Sequence, residues 1–181
     1  MVAELFWGRV PVTYSTSYFY YMKDSRYQNI IHHLKYLGKQ NIGLEFGRIF
    51  GSELMKTALS SPDVIVPVPL HPKKLKKRGF NQSEIIARGM AERMGKKIIS
   101  GALERIRYTD TQTNRSRYER WENVEGIFRT RKPQLLTGKH ILLVDDVVTT
   151  GSTLEACASE ILKLQGTTVS VATLAVARYG S

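Results

Sequence analysis

The sequence predicts an α/β protein with a doubly wound, mostly parallel sheet. From residue 64 onward, short β-branched runs alternate with segments of helical character, which is the pattern of such sheets. Residues 141–144 are typical of a buried strand, a loop of small hydroxyl residues follows, and a helix is expected over 152–165. Ligands of these sheets bind beyond the carboxyl ends of the strands, so the segment after residue 144 is the first candidate for a functional site.

The N-terminal third predicts a different kind of structure. Residues 1–22 are rich in aromatic and β-branched side chains, which favours short strands or an extended segment. Apolar residues recur at helical spacing over 26–37, and a second helix is expected over about 42–59. We therefore expect a small hood-like segment, residues 1–60, packed on a core formed by residues 61–181.

The first elements of that core carry clear start and stop signals. A strand is expected over 64–69, where prolines mark the exit into a loop. Asn81 or Ser83 can cap a helix that runs through Met94, and Gly95 can end it.

The remaining elements are two strands and a loop. A short strand is expected at 98–99 and a closing strand at 167–177. Residues 104–125 are polar and basic without a clear period, which predicts a long flexible loop. A loop of that length inside a compact domain usually has a function.

Composition narrows the class of protein. The chain has 181 residues, 42% of them hydrophobic, which suits one folded domain. No apolar run approaches the roughly 18 residues that span a membrane, so no membrane insertion is expected. The N-terminus is not typical of a signal peptide, because the charged residues Glu4 and Arg9 interrupt it and Pro11 follows. A single cysteine, Cys157, is expected to be a small core residue, and we expect a cytoplasmic protein.

The net charge of +11 is concentrated in two clusters, and it indicates a polyanionic ligand. Charge alone does not separate a phosphate-rich small molecule from nucleic acid. A solvated surface remains the alternative for the lysine cluster, but arginine forks suit phosphate oxygens better than solvation requires. The clusters are the run Lys73, Lys74, Lys76, Lys77 and Arg78, and the stretch with Arg105, Arg107, Arg115, Arg117 and Arg120.

The segment after residue 144 combines two kinds of polar group. Asp145 and Asp146 follow the buried strand, and residues 149–153 then supply four hydroxyls and Gly151 at the start of a helix. Such a loop can hold a phosphate on backbone amides. The two carboxylates would repel that phosphate, so they must serve sugar hydroxyls or a metal ion. The alternative is a simple turn with one capping hydroxyl, which needs only one of the four.

Residues 142–153 resemble the phosphoribosyl pyrophosphate (PRPP) loop of type I phosphoribosyltransferases, in which a hydrophobic strand and two acidic residues precede Thr-x-Gly-x-Thr. Residues 66–83, with Val-Pro-Val-Pro-Leu-His-Pro and Arg-Gly-Phe-Asn-Gln, are similar to the ComF/GntX-type branch of that superfamily. The spacing of Arg105, Thr109 and Gln112, and the segment 123–128, agree with the same branch. Longer members begin with a cysteine-rich zinc-binding segment that is not found here, so zinc-linked properties are not carried over.

The resemblance implies roles for individual residues. Asp145 and Asp146 would be the catalytic carboxylates, accepting hydrogen bonds from ribose hydroxyls and holding Mg²⁺ through water. The basic loop would close over the site. PRPP would also contact Val147, Val148, Thr149, Thr150, Gly151, Ser152 and Thr153. Pyrophosphate would lie near Leu70, His71, Lys74 and Arg78, with Arg105 and Arg107 supplied by the closing loop.

The implied function is a Mg²⁺-dependent phosphoribosyltransferase that releases pyrophosphate. The acceptor is open, and the aromatic-rich N-terminal 60 residues are expected to read it, although core filling is the commoner role of such aromatics. The alternative is a non-catalytic PRPP-binding protein, or a DNA-associated protein acting in competence and DNA uptake. Implied partners are single-stranded DNA or proteins of the competence machinery, and a homodimer is expected from the family.

Overall fold

The computed structural model describes residues 2–22, 40–59, 61–107 and 126–178. Within these ranges a five-stranded parallel sheet has the strand order β1-β7-β6-β2-β3, and a separate two-stranded antiparallel sheet pairs β4 with β5. The strands are β1 Ser15–Met22, β2 Val64–Pro67, β3 Lys97–Ile98, β4 Leu103–Arg105, β5 Phe128–Thr130, β6 His140–Val148 and β7 Thr168–Arg178. The helices are α1 Gln40–Leu54, α2 Pro72–Arg78, α3 Gln82–Met94 and α4 Ser152–Leu162, with 3-10 turns at Val2–Leu5 and Pro133–Leu135.

Both faces of the parallel sheet are covered by helices. On β6, Ile141 and Leu143 pack in one hydrophobic cluster with side chains of α4. Leu142 and Val144 pack in a second cluster with side chains of α1 and α3. All four side chains are fully buried, as expected for a parallel strand enclosed on two sides. The predicted doubly wound α/β class is confirmed.

Close backbone contact holds α1 against α3. A Cβ added to Gly47 would overlap the Ile86 carbonyl oxygen, and one added to Gly89 would overlap the Leu44 carbonyl oxygen. Each glycine therefore removes a side chain where the opposite backbone passes. The packing of α1 on α3, which covers this face of the sheet, therefore depends on both glycines.

Part of the N-terminal third lies inside the core. β1 is the edge strand of the parallel sheet, with Ser15 opposite Val171 and Phe19 opposite Ala175. The 40–54 helix packs on α3, so β1 and α1 belong to the sheet and its helix layer and not to a separate cover. Whether residues 1–60 act as a hood that reads an acceptor stays a prediction. The helix predicted over 26–37 lies outside the described residues.

The caps of α3 follow the sequence signals. The Asn81 side chain accepts a hydrogen bond from the Ser83 amide, and Gly95 ends the helix in the left-handed conformation at φ 63°. The predicted helix at about 42–59 proves shorter at its C-terminal end, because α1 stops at Leu54.

Two local predictions are corrected. The loop predicted over 104–125 starts later, because Glu104 and Arg105 belong to β4 and pair with Arg129 and Phe128. Residues 108–125 lie outside the described residues. Residues 72–78, where the sequence indicated only a basic run after a loop, form α2, which His71 caps at its N-terminus and Gly79 at its C-terminus.

The strand order indicates where in the sheet the candidate site lies. From β2 the chain moves outward to β3, whereas β6 is followed outward by β7. The connections after β2 and β6 therefore diverge, and such a divergence is where sheets of this kind form a ligand-binding crevice between the carboxyl ends of the two strands. The loop that leads to α2 leaves β2 at this crevice. On the other side, Asp145 and Asp146 lie near the carboxyl end of β6, and the hydroxyl loop, residues 149–153, follows the strand.

Candidate functional site

β6 continues beyond the end of its neighbour β2. The pairing of β2 with β6 ends at Pro67 opposite Val144, whereas β6 keeps pairing with β7, with Asp145 opposite Thr173. The sequence predicted a strand that stopped at residue 144, and this was wrong. β7 offers a partner as far as Val148, so the acid pair lies within the strand, along an edge that β2 no longer covers.

Both carboxylates accept hydrogen bonds that fix them. Oδ1 of Asp145 accepts from the Ser83 hydroxyl at 2.7 Å and from the Asp146 amide at 2.9 Å. Oδ1 of Asp146 accepts from the Val147 amide at 2.8 Å. Asp146 is 9% exposed, and burial of a carboxylate to this extent is favourable only with hydrogen bonds such as the one from Val147. Sequence reasoning considered Ser83 only as a helix cap and missed its contact with Asp145.

The segment between β2 and α3 is tied to the same place. The Val68 amide donates to the Val144 carbonyl at 2.9 Å, and the Asn81 side-chain amide donates to the Val68 carbonyl at 2.9 Å. Arg78 donates to the Gln82 side-chain oxygen at 2.7 Å, just before Ser83 reaches Asp145. The Pro-Leu-His-Pro loop, α2 and the acid pair therefore form one connected structure at the crevice.

The positive charge of Arg105 acts on the His71 ring. Partial desolvation lowers the pKa of His71, and the nearby positive charges of Arg105, Lys73 and Lys74 lower it further. The Lys73 amide donates to Nδ1 of His71 at 3.2 Å, which requires that nitrogen to be unprotonated. Arg105 is steadied by the Phe128 ring, whose centroid is 5.5 Å from its guanidinium carbon.

The basic residues of the two charge clusters differ in their position relative to the crevice. The cations of α2 lie on a short helix next to the crevice, and Lys74 and Arg78 are half-buried. Arg107 is exposed at the end of a described range. Arg115, Arg117 and Arg120 lie outside the described residues.

The backbone of the hydroxyl loop has the conformation expected where a ligand comes close to the main chain. Gly151 has φ +81° and is buried, and a Cβ there would lie 3.3 Å from the Leu5 Cβ. Thr150 Oγ1 and Ser152 Oγ are 3.0 Å apart, on the loop that opens α4. Gly151 occupies the N-cap position and has no side chain to occupy the first amides of the helix. A helix start of this kind attracts anions.

Arg9 makes a contact with the hydroxyl loop that the sequence did not predict. Its NH1 group donates to the Thr150 carbonyl at 3.0 Å and to the Leu5 carbonyl at 2.9 Å. Its NH2 group forms an ion pair with Glu155, a residue that is 8% exposed and lies in the first turn of α4. No local pattern signals this contact, since Arg9 and Thr150 are 141 positions apart.

Cys157 is a core residue, as predicted. It is fully buried, and burial raises the pKa of its thiol well above the ordinary range, with the Asp145 carboxylate adding to the rise. A protonated, enclosed thiol has no nucleophilic role.

The residues at the crevice fit a magnesium ion that a substrate helps to hold. Across the described ranges, no group of three or more histidine, cysteine and acidic side chains is arranged to hold a metal ion. The paired carboxylates of Asp145 and Asp146 suit Mg²⁺ that keeps several waters and takes other ligands from a phosphate substrate.

The comparison with protein families decides the assignment. Residues 35–180 match the family described as phosphoribosyl transferase domain. The chain belongs to this family. The hydroxyl loop and the acid pair lie within the matched region, so the resemblance to type I phosphoribosyltransferases is confirmed.

Relatives identify the branch of the phosphoribosyl transferase domain family as ComF-type. The chain is 36% identical to DNA utilization protein YhgH of Salmonella typhimurium over 146 residues, which is 78% of this chain and 63% of that protein. It is 30% identical to Competence protein F of Haemophilus influenzae over 59% of this chain and 47% of that one. It is 28% identical to Competence protein ComFC of Bacillus subtilis over 87% of this chain and 62% of that one. The chain spans less than two thirds of the length of these relatives.

Among solved structures, a glutamine PRPP amidotransferase from B. subtilis superposes with a TM-score of 0.49 at 22% identity, covering 73% of this chain and 26% of that one. A purine phosphoribosyltransferase from Pyrococcus horikoshii gives a TM-score of 0.43 at 22% identity, covering 74% and 73%. Of the helices that the structure describes, none is both long and apolar enough to cross a bilayer.

Proposed function

We propose that this protein is a Mg²⁺-dependent phosphoribosyltransferase that binds PRPP and transfers phosphoribosyl to an acceptor, with release of pyrophosphate. The observation that carries the proposal is the meeting of two unlike groups at one crevice. Asp145 and Asp146 are held along the open edge of β6, and the Gly151 loop opens α4 directly after them. Ribose 5-phosphate has the matching pair of features, vicinal hydroxyls for the carboxylates and a phosphate for the helix start.

The transfer requires stabilisation of the positive charge on the ribose and of the negative charge on the leaving pyrophosphate. The bond from C1 to the pyrophosphate oxygen breaks, a bond from the acceptor to C1 forms, and the acceptor gives up a proton. Positive charge develops on the ribose ring as pyrophosphate leaves, and the fixed carboxylates of Asp145 and Asp146, bound to the ribose hydroxyls, would favour this charge. Bound Mg²⁺ would supply neutralisation of the pyrophosphate charge, with Asp145 and Asp146 holding its waters.

The pyrophosphate is assigned to the segment between β2 and α3. The half-buried side chains of Leu70, His71 and Lys74 lie on this segment, and Arg78 is held by Gln82. The effect of Arg105 on the pKa of His71 supports a position for Arg105 near the same loop. Contact of Arg107 with pyrophosphate remains part of the proposal. Closure of the basic loop over the site is also proposed, although residues 108–125 lie outside the described residues.

The acceptor is assigned to the N-terminal segment. Trp7 and Tyr14 of this segment are exposed, and exposed aromatic side chains can stack on a planar acceptor. A groove of about 660 Å³ along residues 6–15 is lined by Arg9 on the side where Arg9 contacts Thr150, so the proposal rests on the aromatic side chains and not on this groove.

A second candidate function is a role in DNA utilization or competence, without catalysis. It is favoured by the names of the relatives, which are a DNA utilization protein and two competence proteins. Single-stranded DNA or proteins of the competence machinery are the partners it would require. The basic surface of α2 supports it, because five of the seven residues of this helix are cationic.

Binding of PRPP is tested by thermal unfolding. PRPP with Mg²⁺ should raise the melting temperature, because a ligand that binds only the folded state stabilises it. Replacing both carboxylates, Asp145→Asn with Asp146→Asn, should remove most of that rise. Glu53→Gln on the exposed side of α1 is the control and should keep it. An unchanged wild-type melting curve at saturating PRPP would exclude the loop as a PRPP site.

Catalysis is tested by pyrophosphate release from PRPP with a panel of acceptors: purines, pyrimidines, ammonia and single-stranded DNA. Release with one acceptor, lost in the Asp145 and Asp146 variant, would establish the transferase and name its substrate. PRPP binding without release from any acceptor would favour the non-catalytic alternative.

A further inference from the structure

We infer that Arg9 is a positioning residue that aims the Gly151 amide of the hydroxyl loop at the 5′-phosphate of PRPP, an inference that rests on the proposed function. Its guanidinium donates to the Thr150 carbonyl at 3.0 Å from the side of the N-terminal segment. A planar trans peptide bond directs its carbonyl and its amide to opposite sides. The carbonyl of Thr150 and the amide of Gly151 belong to one peptide, so the contact turns that amide away from Arg9.

The surrounding structure fixes the direction from which Arg9 approaches. Its NH1 group also donates to the Leu5 carbonyl at 2.9 Å, so the guanidinium is held on the 3-10 turn of the N-terminal segment. The same turn touches the loop directly, since a Cβ on Gly151 would lie 3.3 Å from Leu5 and 3.5 Å from Phe6. The N-terminal turn therefore covers the back of the loop and leaves the opposite side for a ligand.

Arg9 also changes the charge that a phosphate would meet. Glu155 lies in the first turn of α4, almost fully buried, and a carboxylate there repels an anion at the start of the same helix. The ion pair with Arg9 neutralises it. A charged donor on the Thr150 carbonyl also polarises the peptide and strengthens its amide as a donor. Orientation and neutralisation both favour phosphate, and both come from outside the loop.

The N-terminal segment thus becomes part of the phosphate site without touching the phosphate. The hydroxyl loop has the residues of a cradle, but the peptide between Thr150 and Gly151 can rotate because Gly151 tolerates many conformations. Arg9 selects one of them. Occupancy of the cradle and the position of residues 2–9 are therefore coupled.

The test uses affinities of the full chain for three ligands, PRPP, ribose 5-phosphate and pyrophosphate, each with Mg²⁺, measured by calorimetry. Arg9→Ala alone leaves Glu155 buried and unpaired, so folding could suffer. The variant Arg9→Ala with Glu155→Gln removes that charge and isolates the loss of the Thr150 contact. Arg48→Ala is the control, because Arg48 pairs with Glu45 and Glu92 on α1 and α3, away from the loop.

We expect the double variant to bind ribose 5-phosphate and PRPP about tenfold more weakly, the size of one charge-assisted hydrogen bond. Its affinity for pyrophosphate should stay at the wild-type value, a selectivity that general destabilisation would not produce. Equal affinity of wild type and double variant for ribose 5-phosphate overturns the inference, as does an equal loss of affinity for ribose 5-phosphate and for pyrophosphate. A wild-type protein that binds neither PRPP nor ribose 5-phosphate instead overturns the proposed function, and the inference with it.

Discussion

The Ser83 hydroxyl donates a 2.7 Å hydrogen bond to Oδ1 of Asp145 and thereby joins the start of α3 to the acid pair of β6. The two residues are 62 positions apart, and Ser83 is 3% exposed. A short bond to a carboxylate in a buried position is among the stronger kinds. It fixes one oxygen of Asp145 and so determines how the carboxylate faces the crevice.

Replacing Ser83→Ala is therefore expected to weaken PRPP binding about tenfold, since a hydrogen bond to a charged group contributes roughly 1.5–3 kcal/mol. Calorimetric titration of PRPP with Mg²⁺ measures it. The matched control is Ser52→Ala, which removes a hydroxyl that bonds to the Arg48 carbonyl in α1. An unchanged PRPP affinity in the Ser83 variant would show that Asp145 needs no such support.

Gly151→Ala is expected to destabilise the protein and to reduce PRPP affinity. At φ +81° any side chain costs about 1–2 kcal/mol, and the added methyl would also press on Leu5. Gly95→Ala is the control, because Gly95 also has a positive φ but its added methyl would meet no atom within 4 Å.

Chemical unfolding of both variants separates the two costs. The Gly95 variant should lose stability and keep PRPP affinity, whereas the Gly151 variant should lose both. Equal behaviour of the two variants in the PRPP titration would argue against a close approach at Gly151.

Gly89→Ala is expected to destabilise the fold by about 1–3 kcal/mol through overpacking of α1 against α3. The opposing Leu44 carbonyl leaves no room for a methyl, although alanine is otherwise the better helix former. Arg88→Ala, on the exposed side of the same helix, removes only a surface ion pair with Glu84 and is the control. Urea unfolding measures both, and a Gly89 variant at least as stable as wild type would contradict the close contact.

His71 is expected to titrate below its ordinary value of about 6.5, because partial desolvation and the charges of Arg105, Lys73 and Lys74 disfavour its protonation. A lowered pKa in the folded state means that the unfolded chain binds more protons between the two values. The stabilising contribution is then complete above the unfolded pKa and is lost as the pH falls through the folded pKa.

NMR titration of the His71 ring measures this pKa directly. Arg105→Gln should move it toward the ordinary value, since one of the neighbouring charges is gone. His71→Asn keeps a good N-cap for α2 and should remove the associated pH dependence of stability. A His71 pKa above the ordinary value would be incompatible with the arrangement of these cations.

Local patterns could point to much of the candidate site because its parts are contiguous. Asp145, Asp146 and the Gly151 loop lie within one short segment, and the α3 caps at Asn81 and Gly95 depend on neighbouring residues alone. Local patterns failed where pairing decides the outcome. β6 runs on to Val148 only because β7 accompanies it, and Arg105 is in a strand only because Phe128 pairs with it.

The sequence by itself determined the α/β class, the phosphoribosyl transferase family and the chemical character of the loop, since residue types and short spacings are sufficient for each. Only the tertiary structure decided which distant groups contact the candidate site. Ser83 reaches Asp145 across 62 positions, and Arg9 reaches Thr150 across 141. Such contacts depend on the order of strands in the sheet and on the packing of the N-terminal turn behind the loop, and these long-range relationships leave no periodic or local trace in the chain.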